Sequence, residues 1–298
     1  MSAPHPPFGH LLPAGGEKGD SAVLPLAPPR GARVAEGRVR VCAAWNEKRR
    51  GDAVSDSTAH AALERAFERE NLLLHYQPIH DARSGAIVAV EALMRQRREN
   101  GEIREAHIIN EAAEDGSRRD LIALDEWMIN TALHDAERWP TKVHVNLSPR
   151  EFVDGNVASR LSRIEGRRIN LEITETQTVE KVEATVRMLH DLKKLGFGLW
   201  LDDFGSGHST LEQLLRFPVD GIKIAATFIK ELPDDERSAA ITRSMIALAH
   251  DLGLSVLAEG VEHDAQLQVL VAHDCDFVQG FLFSRPMPRE DVDSLFAR

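Results

Sequence analysis

The sequence predicts an α/β protein built on a (β/α)8 TIM-like barrel with an antiparallel first strand, behind a disordered N-terminal leader. Three observations predict it. Short apolar runs recur along most of the chain, and stretches of helical length and period separate most of them. Eight such runs in about 240 residues match the strand count of a closed barrel. The link between the first two runs, "IHDARSG", is too short for a crossover helix, so those two strands should pair antiparallel.

Residues 1–55 stand apart. They are rich in Pro, Gly and Ala without a sustained period, and read as a disordered leader or linker. The barrel domain is assigned to 56–298. It opens with a helix in "STAHAALERAFEREN", where Ser57 or Thr58 serves as N-cap and Ala62, Leu63 and Phe67 share a face. The strands follow in order as "LLLHYQP", "AIVAVEAL", "KVHVNLS", "INLEITE", "FGLWLDDF", "GIKIA", "LSVLAEGV" and "FVQGFLF". The helices between them include "RRDLIALDEWMINTALHDAERW" and "SAAITRSMIALAHDLG", in which Ile241, Met245, Leu248 and Leu252 repeat at helical spacing. No internal repeat of solenoid length is present.

Composition bounds the function. With 298 residues, 43% hydrophobic and 28% charged, the chain can build a substantial core. A net charge of −11 argues against binding a nucleic-acid polymer, although metal ions could bring a phosphate substrate to an acidic site. Cys42 and Cys275 are the two cysteines, far apart and without metal-binding spacing, which suits a reducing compartment. The N-terminus shows neither a signal peptide nor a membrane span, so the expected location is the cytoplasm, with no membrane partner.

In such barrels the chemistry sits where strands end at their C-termini. Those ends carry Glu91 ("VEALMR"), Asn146 ("VNLS"), Glu172 ("LEITE"), Asp202 and Asp203 ("LDDFG"), Lys223 ("GIKI"), Glu259 ("LAEGVE") and Gln279 ("FVQG"). Each interrupts an apolar run. An oxygen-only ligand set of this kind suits Mg²⁺ or Mn²⁺, and adjacent aspartates can face two neighbouring ions, as in two-metal phosphoester hydrolysis. Any one of these acids could be an ordinary surface or salt-bridged residue. "DFG" has no kinase glycine-rich loop or "HRD" beside it, and "NLS" lacks the secretory context of a glycosylation site. The ordered set, one per strand end, is what departs from chance.

From about residue 68 to 288 the chain resembles the EAL domain, the bacterial phosphodiesterase that cleaves cyclic di-GMP. The resemblance rests on "YQPIHDARSGAIVAVEALMR", "VHVNLSP", "LEITET", "LGFGLWLDDFGSGHSTLEQL", "FPVDGIKI", "LGLSVLAEGVE" and "CDFVQGFLFSRPMP". It implies that Glu91, Asn146, Glu172 and Asp202 hold one metal, while Asp202, Asp203 and Glu259 serve a second. It further implies that Lys223 contacts the attacking water and the developing phosphorane charge, and that Gln279 helps position that water. Glu175 resembles the glutamate that anchors the loop "DFGSGHS". Leu93 and Arg95 look like substrate-side residues, the arginine contacting a phosphate, with Gln77 and Glu262 as further substrate candidates. The implied cofactors are two Mg²⁺ or Mn²⁺ ions, the implied product is pGpG, and the implied assembly is a homodimer.

The sequence departs from the family pattern at four places, one being the loss of the usual Pro before the first helix, within "IREAHI". Ala225 stands where an aspartate usually follows the strand lysine, as "KID". His208 replaces a usual tyrosine in "GSGHST", and "QRREN" follows "EALMR" where "WRHP" is usual. Two function classes follow. One is an active metal-dependent phosphodiesterase, favoured by the complete acid set. The other is a non-hydrolysing cyclic di-GMP receptor or protein-interaction module, favoured by Ala225.

Overall fold

The computed structural model describes residues 71–98, 100–106, 118–147, 157–162, 166–174, 182–206 and 211–297. The leader, the helix expected from Ser57 or Thr58, Glu175 and His208 lie outside the described residues.

Strand β1 (Leu72–Asp81) turns back into β2 (Ile87–Arg97). Asp81 Oδ1 nucleates the turn by accepting from the backbone N–H of Arg83 and Ser84 at 3.2 and 2.7 Å. The two strands pair antiparallel from Leu72↔Gln96 to His80↔Ile87, as the short link requires. From β2 the sheet continues in parallel through β4 (Lys142–Leu147), β5 (Ile169–Thr174), β6 (Gly198–Phe204), β7 (Gly221–Ile224), β8 (Ser255–Ala258) and β9 (Phe277–Val278). Strand β9 then pairs antiparallel with β1 and closes the barrel.

Among the described residues, two short strands lie outside that ring. β3 (Ile103–Glu105) forms a hairpin with the end of β2, and β10 (Met287–Pro288) pairs with the middle of β1 at His75 and Tyr76. The β2–β3 hairpin occupies the "QRREN" departure. Its turn carries Asn100–Gly101, with Gly101 at φ +82°, the dipeptide that favours tight hairpins. The eighth apolar run is strand only at Phe277–Val278. After Gln279 the chain turns, and the Ser284 N–H reaches back to the Gly280 carbonyl at 3.2 Å.

Among the described residues the α-helices are α1 (Arg118–Ala136), α2 (Val157–Leu161), α3 (Val182–Lys194), α4 (Leu211–Arg216), α5 (Ala226–Lys230), α6 (Glu236–Asp251), α7 (Asp264–Ala272) and α8 (Arg289–Phe296). Most of the apolar core lies between the strands and this outer ring. One cluster gathers Leu124, Trp127, Val143, Val145, Leu171 and Leu189, and another gathers Leu201, Ile222, Ile246, Val256 and Leu270. Inside the barrel the apolar packing is small, with Ile79, Ala89, Trp200 and Leu257 at its centre. The remaining interior positions are therefore free to carry polar groups.

Helix α6 has two apolar faces. Asp235 caps it by accepting from Ser238 N–H, and Thr242, Ile246 and Ala249 face the barrel. The stripe read from the sequence is a second, lateral face. Ile241 is 41% exposed, and it lines a surface groove with Met245, Leu248 and Phe204.

Candidate active site

Strand alternation explains which side chains meet. Successive residues on one face of a strand are two apart, so Glu91 and Leu93, His144 and Asn146, Asn170 and Glu172, and Gly221 and Lys223 each share the barrel's interior face. The register then brings the acids level. Asn146 lies beside Glu172, and Thr174 beside Asp202.

Asp202 and Asp203 are adjacent in sequence, so a regular strand would send them to opposite faces. The β6–β7 register instead shifts between Leu201 and Phe204, and Asp203 takes φ +54°. This bulge with a left-handed residue turns Asp203 back toward the mouth of the barrel. Aspartate tolerates that conformation better than most residues, and it persists because neighbouring structure holds it. Carboxylate oxygens of Asp202, Asp203 and Glu259 consequently lie within 4.8 Å of one another.

Lys223 sits at the centre, with its side chain 1% exposed. Its Nζ lies 2.6 Å from Glu259 Oε1, 2.9 Å from Glu172 Oε2, 3.0 Å from Asp202 Oδ1 and 3.5 Å from Glu91 Oε1. Glu91 also accepts from Gln279 Nε2 at 2.8 Å and from Asn146 Nδ2 at 3.3 Å. Burial alone would lower the lysine's pKa, but Asp202, Glu172, Glu259 and Glu91 together hold it well above its ordinary value. Glu91 is held below the usual range because Lys223 and the Gln279 hydrogen bond outweigh its burial. Burial pushes Glu172 well up and Glu259 to about 7, despite the attraction of Lys223.

A single ammonium does not satisfy this many acceptors. Glu172 Oε2 and Asp202 Oδ1 are sealed from solvent and make no hydrogen bond of sound geometry, although each lies within ion-pair distance of Lys223. Two inward-aimed, unsatisfied carboxylate oxygens within an all-oxygen donor set fit a hard divalent cation.

Above the acids a pocket of about 330 Å³ is lined by Gln77, Glu91, Leu93, Asp202, Asp203, Lys223, Glu259, Glu262 and Gln279 among others. Every sequence-assigned residue among the described ones thus lines this pocket or touches a residue that does, with one exception in orientation. Arg95 is turned to the β2–β3 hairpin, 3.8 Å from Glu105 and donating to the Met94 carbonyl at 2.9 Å. Gln77 donates to the Ser284 carbonyl at 3.0 Å, and Glu262 is exposed at the rim.

Two features went unread in the sequence. Phe281, 47% exposed, stands at the pocket, with the Arg285 guanidinium 4.0 Å from its ring centroid. The second is a polar chain beneath the acids. His144 Nδ1 lies 2.9 Å from Glu172 Oε1, and His144 Nε2 lies 2.8 Å from Asn170 Nδ2. The signal was present, since His144 and Asn170 each precede an assigned residue by two positions and interrupt an apolar run.

The model of the EAL domain family matches residues 60–286. The cyclic di-GMP phosphodiesterase PdeR of Escherichia coli K12 is 34% identical over 248 residues, which cover 79% of this chain and 37% of the relative. The bifunctional diguanylate cyclase/cyclic di-GMP phosphodiesterase MucR of Pseudomonas aeruginosa is 35% identical over 243 residues, covering 77% of this chain and 35% of the relative. The solved structure of the PaMucR phosphodiesterase in complex with c-di-GMP superposes with a TM-score of 0.71 at 33% identity, covering 79% of this chain and all of that one. The chain spans roughly a third of the length of the curated relatives it matches.

Proposed function

The chain belongs to the EAL domain family, and on that premise we propose that it is a metal-dependent phosphodiesterase that hydrolyses cyclic di-GMP to linear pGpG. One observation carries the reading. Five carboxylates, an asparagine and a glutamine converge around a buried lysine at the floor of an open pocket.

Glu91, Asn146, Glu172 and Asp202 would hold one Mg²⁺ or Mn²⁺, and Asp202, Asp203 and Glu259 a second. When bound, such ions offset phosphate charge and lower the pKa of the attacking water. The protein's own groups supply the rest. Lys223 carries a fixed positive charge on a side chain that is itself buried, and there it stabilises charge developing on the phosphoryl oxygens. Gln279 fixes Glu91 by hydrogen bonding and leaves its own carboxamide oxygen to orient water. On the substrate side, the exposed face of Phe281 suits stacking of a purine base. Gln77, Leu93 and Glu262 would frame the dinucleotide, and a phosphate would draw Arg95 from its long pairing with the exposed Glu105. Glu175 would anchor the loop that follows Asp203. A homodimer through the Phe204–Met245 groove and the segment after β6 is part of the same proposal, as is a cytoplasmic location.

Ala225 favours a second reading, a cyclic di-GMP receptor with little turnover. It is the N-cap residue of α5 and offers no side-chain cap, so the position lacks both a cap and an acid. Calorimetric binding of cyclic di-GMP, run beside chromatography of the products formed with Mg²⁺ or Mn²⁺, separates the two. The enzyme reading requires pGpG; tight binding with no product under either ion would leave the receptor reading standing.

A further inference from the structure

Glu172 divides its two oxygens between two surroundings. Oε2 faces the acidic cluster, 2.9 Å from Lys223 Nζ and without a hydrogen bond of sound geometry. Oε1 faces away from the cluster and meets His144 Nδ1 at 2.9 Å. His144 is 2% exposed, and its ring packs against Trp200 with centroids 5.1 Å apart. A neutral imidazole carries one proton, on either Nδ1 or Nε2.

The neighbours decide which nitrogen holds that proton. The Asn170 carboxamide has its oxygen 3.4 Å from Lys142 Nζ, which orients its amino group toward the ring. Asn170 Nδ2 therefore donates to His144 Nε2 at 2.8 Å, and Nε2 must be the acceptor. The proton is left on Nδ1, where it is donated to Glu172 Oε1. Room for this arrangement comes from Gly198 on the next strand. A methyl group there would stand 2.0 Å from Asn170 Oδ1.

We propose that His144 is a positioning residue for Glu172: its Nδ1–H holds Oε1 and so aims Oε2 into the acidic cluster. Asn170 and Lys142 fix the tautomer that makes this possible. The inference rests on the reading of Glu172 as a metal ligand. It adds that the geometry of this ligand is set by a histidine one layer deeper in the barrel. Partners of this kind typically change metal affinity about 10- to 100-fold when removed.

The test compares Mn²⁺ affinity, read by electron paramagnetic resonance, in the parent, His144→Leu and His144→Asn. Asparagine places an N–H donor where the ring Nδ1 was; leucine fills the space without one. The expected result is an affinity about 10- to 100-fold weaker for His144→Leu, with most of the loss restored in His144→Asn. Parental affinity in His144→Leu, or equal losses in both variants, would overturn the proposal. Nitrogen NMR of the metal-free parent provides a second readout that needs neither a variant nor metal. A proton on His144 Nδ1 supports the proposal and a proton on Nε2 refutes it. A parent that binds no Mn²⁺ refutes the metal reading itself, and the ring tautomer then decides the hydrogen bond independently.

Discussion

Replacing Lys223 with methionine keeps the apolar stem and deletes the cation. In the metal-free protein this leaves Glu91 and Glu172, with side chains 8% and 0% exposed, facing Asp202 and Glu259 with no positive charge among them. Removing one partner from a buried charged group typically costs about 3–5 kcal/mol. Proton uptake offsets part of that cost at low pH, because Glu172 is already pushed well up and Glu259 to about 7. The offset shrinks as pH rises but persists to pH 8, because losing Lys223 raises both groups further. At about 2–4 °C per kcal/mol for a domain of this size, the variant should melt about 6–20 °C below the parent. A divalent ion replaces the lost cation. Mn²⁺ at about 100 times its Kd adds roughly 2.7 kcal/mol, and the gain should be larger in the variant, where no ammonium competes for the same oxygens. Differential scanning calorimetry at pH 8, with chelator and then with Mn²⁺, reads both effects. A variant that melts within about 2 °C of the parent without metal, or that gains no more from Mn²⁺ than the parent does, would refute the reasoning.

Three further outcomes follow from the same geometry. Because burial raises Glu259 from its ordinary 4.5 to about 7, the native state holds a proton there that the unfolded chain has released, so metal-free stability should fall from pH 5 to pH 7. Urea midpoints across that range check it, and a rising midpoint would count against the assignment. Ala225→Asp should tighten Mn²⁺ binding by about tenfold or more, since residue 225 directly follows the strand of Lys223, as the N-cap of α5 beside the pocket residue Ala226, and added ligand charge shifts divalent affinity by decades; calorimetric titration would show no change if the position does not face the ions. Ile241→Glu should weaken self-association by charging the groove it shares with Met245, Leu248 and Phe204, and light scattering that finds the dimer unaffected would remove that surface from consideration.

The sequence carried the barrel because strand order and link length are local quantities. "IHDARSG" could hold only a turn, and that alone required an antiparallel first pair, which the β1–β2 register bears out. The strand-end acids were readable for a related reason, since a charge that ends an apolar run must meet something. What they meet was not readable. Asp203 reaches the mouth through a bulge and a positive φ, and neither leaves a mark in residue type beyond tolerance for it. Lys223 was legible as a strand-end residue, but not the ring of carboxylates from four other strands or strand ends that surrounds it. The β2–β3 hairpin had its Asn–Gly signal, but the flanking residues are charged and exposed, so no apolar alternation announced it. His144 and Asn170 belong to neighbouring strands, and only the register makes them partners.

The central claim is that the acid cluster holds divalent ions that drive hydrolysis of cyclic di-GMP. It is tested most directly by following pGpG formation with Mn²⁺, with chelator, and in Glu91→Ala, which removes the Oε1 met by Lys223 and Asn146 and the Oε2 met by Gln279 while leaving the fold intact. The account predicts pGpG from the parent with Mn²⁺, none with chelator, and at least a hundredfold slower turnover in the variant, of the order seen when a group that stabilises transition-state charge is removed. Product that persists in chelator, or a Glu91→Ala rate equal to the parent's, would contradict it.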